Sequence, residues 1–141
     1  MQLDFSIYAP NGPLVAAFKA KAIGGGTPEW AAEYRRNLIR SFGPTPAPLF
    51  GFITPDKLFL WREREGAIDR LPDAVIDIAA SLGELLGEPG PVRMTGEAFK
   101  FLVGAWLGRL TMDWIEVDPT SALAELQAAI RGGDVRTALA A

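Results

Sequence analysis

The chain has 141 residues and a net charge of −3, with 49% hydrophobic and 22% charged residues, a composition that suits one soluble globular domain, 1–141, and not a disordered chain. It contains no cysteine and no histidine, which excludes disulfides, thiolate or imidazole metal sites, cysteine nucleophiles and Ser-His triads. Any catalysis would fall to carboxylates, lysines, hydroxyls and a metal bound through oxygen.

Residues 1–64 carry eight basic and five acidic side chains, whereas 65–141 carry six and twelve. A polyanion would therefore meet the N-terminal half. No apolar run approaches the ~20 residues of a membrane helix. The opening MQLDFSIYAPNG lacks the basic start of a signal peptide. The expectation is a cytoplasmic protein with no membrane partner.

The segment LDFSIYAP alternates, with Leu3, Phe5 and Ile7 on one side and Asp4, Ser6 and Tyr8 on the other, and predicts a half-buried strand. Pro10-Asn11-Gly12-Pro13 is a turn, so LVAAFKAK at 14–21 is an antiparallel second strand, ended by Gly24, Gly25 and Gly26. Thr27 as N-cap, Pro28 at the first helical position and Glu29 in the first turn predict a helix over 28–41. That helix would bury Trp30, Ala31, Tyr34 and Leu38, with Phe42 at its end. LFGFIT reads as a buried central strand, and KLFLWR after Pro55-Asp56 as its hairpin partner.

EREGAIDRLPDA is a polar loop. Helical spacing of Val75, Ile78, Leu82, Leu85 and Leu86 predicts a helix over 74–86, and Phe99, Leu102, Val103, Trp106 and Leu110 predict another over 95–110. MDWIEVDP is an edge strand or an extended segment. SALAELQAAIRGG is a last helix, capped by Ser121 or Thr120 and ended by Gly132, and the tail DVRTALAA is expected to fray. The order strand, strand, helix, strand, strand, helices predicts an α/β or α+β domain around a mixed sheet of four or five strands.

Four constellations could carry chemistry. Asp4 and Lys19 lie on adjacent predicted strands and could share a divalent-metal site for phosphodiester hydrolysis, with the acid holding the ion and the lysine offsetting developing charge. The position two before Lys19 is Ala17, where a second acid would stand. The loop GGGTPEW could cradle phosphate, but it lacks a P-loop ending, and Pro28 removes an amide; it reads as a strand-to-helix turn. Arg35, Arg36 and Arg40, with Lys19 and Lys21, could line a nucleic-acid backbone groove, or pair with Glu29 and Glu33 along their own helix. The four tryptophans, Trp30, Trp61, Trp106 and Trp114, suit core packing better than base stacking.

Asp4 on a strand, Lys19 on the next, then EWAAEYRRNL, PDKLFLW and FKFLVGAWLGRL together resemble small stand-alone bacterial proteins of the PD-(D/E)XK, restriction-endonuclease-like superfamily. The resemblance covers about residues 3–111. It implies a restriction-endonuclease-like α/β fold, a mixed central β-sheet flanked by helices, and a Mg²⁺-dependent nuclease acting on DNA. Asp4 matches the metal-binding acid and Lys19 the catalytic lysine, while Ala17 stands at the position of the second acid. An acid can migrate to the following helix in such folds, which makes Glu29 and Glu33 surrogate catalytic residues. Lys21, Arg35, Arg36 and Arg40 would contact nucleic acid. The alternative is a non-catalytic binding or assembly module on the same scaffold, working with a protein partner or as a homodimer.

Overall fold

The computed structural model describes residues 3–63 and 68–137, so Arg64 and the last residues of the tail lie outside it. The first two strands, β1 (Phe5–Tyr8) and β2 (Leu14–Ala20), form the expected antiparallel hairpin. Its turn is closed by the Ala9 N–H donating to the Pro13 carbonyl at 2.8 Å, and Gly12 supplies the φ of +111° that the reversal requires. Helix α1 (Pro28–Phe42) then carries the chain across to β3 (Leu49–Ile53), which runs parallel to β2. Two antiparallel steps follow, β4 (Lys57–Arg62) and β5 (Ala74–Asp77). After helices α2 (Ala79–Glu84), α3 (Gly96–Thr111) and α4 (Ala122–Ile130), strand β6 (Asp134–Thr137) returns beside β1. The result is a mixed six-stranded sheet in the order β5-β4-β3-β2-β1-β6.

Strand alternation distributes the apolar side chains to two cores. Phe5, Ile7, Phe18, Ile53, Leu58 and Leu60 face α2, α3 and α4, meeting Phe99, Leu102, Val103 and Trp106. Phe50, Phe52, Phe59 and Trp61 face α1, where Ala31 and Leu38 close over them. The sheet is thus covered by helices on both faces, which explains why LFGFI and KLFLW read as nearly continuous apolar runs. Gly51 pairs with Phe18 in the β2–β3 register, and a Cβ on it would sit 2.5 Å from the Phe18 ring. The missing side chain lets that ring lie across β3. Helix α1 begins as its sequence requires, with the Thr27 hydroxyl accepting the Trp30 N–H at 3.1 Å.

The structure corrects several expectations. Residues 74–86 are not one helix: Ala74–Asp77 pair with β4, and only Ala79–Glu84 are helical. Helical spacing of the apolar positions could not register that Ala74 and Ile76 turn inward against an available strand edge while Val75 and Asp77 turn out. The Asp77 carboxylate accepts the Ala79 N–H at 3.1 Å and makes the corner. Nor does the described part of the tail fray, because Asp134–Thr137 pair with β1 and occupy its outer backbone groups.

Phe42 and Trp114 are exposed rather than core. MDWIEVDP forms no strand; its Ile115 and Val117 pack on the core from an irregular segment. Ser121 caps α4, its hydroxyl accepting the Ala124 N–H. The outer face of helix α3 exposes Phe101, at 83%, between Glu97 and Arg109, and Met112 at its C-cap is exposed too. No helix among the described residues is long and apolar enough to cross a membrane.

Candidate functional site at the Asp4 end of the sheet

Asp4 precedes β1 by one residue. Its N–H donates to the Phe18 carbonyl at 2.9 Å, which extends the hairpin register past the Phe5–Phe18 pair and sets Asp4 opposite Lys19. The sequence therefore brings these two residues together as expected. Asp4 Oδ2 accepts the Ala20 N–H at 2.8 Å and lies 3.8 Å from Lys19 Nζ. Both side chains are nearly buried, at 9% and 15% exposure.

A third residue completes the group. Lys100 Nζ, from α3, lies 3.1 Å from Asp4 Oδ1. The hydrogen bond and charge of Asp4 raise the Lys100 pKa above its ordinary value against the opposing effect of burial, with Glu97 and Tyr34 acting in the same direction as Asp4. A lysine whose pKa rises on folding stabilises the fold fully below the ordinary lysine value, and that contribution is lost only as pH climbs through the raised one. Lys100 is a cation set between Phe99 and Phe101 in a mostly apolar helix, which was its only signal in the sequence. Spacing could not say that α3, packed on the face opposite α1, would deliver it to Asp4.

Lys21 follows β2, and its Nζ lies 3.4 Å from the Tyr34 hydroxyl and 4.7 Å from the centre of that ring. Ala17 is fully buried opposite Ser6, one strand repeat from Lys19 on the same face. It offers no oxygen where the resemblance places an acid.

The residues of α1 are distributed differently from the expectation. Arg35 is buried. Its Nε and Nη2 donate to the two oxygens of Glu63 at 3.1 and 2.6 Å, Nη1 donates to the Ile68 carbonyl at 2.9 Å, and the guanidinium lies over Trp61. It is a core arginine joining α1 to the end of β4, and it has no surface to offer a phosphate. Arg36 pairs with Asp69 at 3.2 Å rather than with Glu33. Arg40 is exposed. Glu29 and Glu33 are exposed and line, with Arg36, Asp69, Arg70 and Leu71, an open cleft of about 280 Å³ between α1 and the β4–β5 loop.

The glycine loop is a turn held by a carboxylate. Asp56 Oδ2 accepts the Gly25 N–H at 3.2 Å, and Oδ1 accepts the Thr54 hydroxyl at 3.0 Å. An anion would have to displace Asp56 to reach that amide.

The donor set at Asp4 does not suit Mg²⁺. Such an ion takes six oxygen ligands and a compensating negative charge. Here one carboxylate faces two ammonium groups, and one of its oxygens already accepts a backbone N–H. No group of three potential metal-ligating acids occurs among the described residues. The comparisons with protein-family models, with curated proteins and with solved structures each return no match.

Proposed function

We propose that this chain is a non-catalytic, nucleic-acid-binding module on a restriction-endonuclease-like scaffold. The observation that carries the reading is the state of Asp4, whose carboxylate is shared by Lys19, Lys100 and the Ala20 N–H. The scaffold reading draws support from the element order: an antiparallel hairpin with Asp4 at its head and Lys19 on its second strand, a helical crossover, and a parallel third strand. With Ala17 at the second acid position, the pair Asp4–Lys19 becomes an internal ion pair and ceases to be a hydrolytic centre.

Binding falls to the cations that remain near the surface. Lys21 and Arg40 are the foremost, with Arg36 half-neutralised by Asp69. Lys21 contacts phosphate as a point charge and the arginines through their guanidinium forks, none of them reading a base, so the affinity is low, insensitive to sequence and steeply dependent on salt.

The test uses labelled single-stranded and duplex DNA with Mg²⁺ or Mn²⁺ present. Binding at low salt without cleavage is expected, and Lys21→Ala and Arg40→Ala each flatten the log–log salt dependence by about one phosphate contact. Cleavage that disappears in Lys19→Ala would restore the enzyme reading. Absence of DNA binding at low salt would leave no support for the nucleic-acid module.

A further inference from the structure

The seat beside Asp4 is filled from within the chain. We infer that Lys100 is a resident cation: its ammonium takes the place at Oδ1 that a divalent ion would take at an open carboxylate, and so closes the Asp4 site to metal. The inference rests on the reading of this end of the sheet as a site without metal chemistry, and it names what closes it.

Three observations carry it. A carboxylate has about four lone-pair directions on two oxygens. Oδ2 accepts the Ala20 N–H at 2.8 Å and has Lys19 Nζ 3.8 Å away as an ion-pair partner, while Oδ1 faces Lys100 Nζ at 3.1 Å. The two ammonium groups reach Asp4 from opposite layers, Lys19 from the sheet and Lys100 from α3, so a divalent ion approaching either oxygen meets a like charge within a few ångströms. Lys100 is also the replaceable member of the group. Its side chain is 40% exposed, whereas Lys19 is 15% exposed and fixed on a central strand. A long, partly exposed side chain that crosses from another layer to end on a nearly buried carboxylate is a plug, and Lys100 is not itself one of the buried core residues.

Electrostatics then gives the expected result. A unit positive charge ~4 Å away opposes a divalent ion even through water. Lys100→Gln removes that opposition, and Lys100→Glu replaces it with a second carboxylate. Mn²⁺ binding is read directly from the electron paramagnetic resonance signal of the free ion, and through the thermal midpoint of the protein.

The wild-type protein should neither deplete free Mn²⁺ nor be stabilised by it. Lys100→Gln should bind Mn²⁺ about tenfold more tightly or better. Lys100→Glu should bind more tightly still, and should melt lower than wild type without the ion and recover with it. Adding Asp4→Asn to either variant should abolish the gain. The inference is overturned if the wild-type protein binds Mn²⁺ as well as the variants do, if neither variant gains, or if the gain survives Asp4→Asn. Mn²⁺ uptake is independent of DNA affinity, so the failure of DNA binding and the failure of this inference are separate results.

Discussion

Arg35 and Glu63 form a two-pronged ion pair, Nε to Oε1 at 3.1 Å and Nη2 to Oε2 at 2.6 Å, with the guanidinium 1% exposed and laid over the Trp61 ring. The pair joins α1 to the end of β4, takes the guanidinium out of water and leaves the Glu63 side chain only 14% exposed. Removing one partner would strand the other in a dry site, whereas replacing both with apolar groups avoids that penalty. Arg35→Ala should therefore cost about 3–5 kcal/mol in urea unfolding, and Arg35→Met with Glu63→Leu should recover much of it. A stable Arg35→Ala protein with weakened DNA binding would instead assign Arg35 to a phosphate contact.

Asp73 organises the end of the β4–β5 connection. Its carboxylate accepts the Arg62 N–H at 2.6 Å and two bonds from Arg70 Nη1 at 2.9 Å, while its own N–H donates to the Leu60 carbonyl. Partial burial works against its charge, but the bond from the Arg62 N–H and the Arg70 guanidinium outweigh it and hold its pKa below the ordinary carboxylate value. A carboxylate lowered on folding contributes fully above its unfolded pKa and loses that contribution as pH falls through the folded one. Asp73→Asn should cost about 1–2 kcal/mol at neutral pH. The gap to wild type should close as pH drops below about 4. Urea midpoints measured across that range check it, and a constant gap would refute the assignment.

Phe99 and Phe101 are two residues apart on α3 and lie in opposite environments, one fully buried and the other 83% exposed. Phe99→Ala should cost about 3–5 kcal/mol, because it leaves a hole among Leu102, Val103 and Trp106. Phe101→Ser should stay within about 0.5 kcal/mol of wild type. A large loss in Phe101→Ser would mean that this face is covered in solution, and sedimentation would then show an assembly larger than one chain.

Much of the fold was legible in the residues because the evidence for it is local. Alternation in LDFSIY specified a strand, Asn11-Gly12 the hairpin that makes LVAAFK its partner, and Thr27-Pro28 the start of α1, since each depends on neighbours within a few positions. What failed was the part of the chain whose structure depends on a partner elsewhere. AVID at 74–77 carries helical spacing, but the open edge of β4 claimed it, and Asp134–Thr137 looked like loose tail until β1 presented unpaired backbone.

The same division runs through the site. Sequence alone determined that Asp4 and Lys19 would meet, because one hairpin register fixes both, and that Ala17 would bring no oxygen to them. Only the tertiary structure decided what surrounds that pair. Packing put Arg35 in the core with Glu63, grouped Glu29 and Glu33 with the β4–β5 loop, and carried Lys100 from α3 to Asp4. Strand register is a short-range property of alternating residues. Which helix lays a charge against a buried carboxylate depends on how the layers stack, and no spacing along the chain records that.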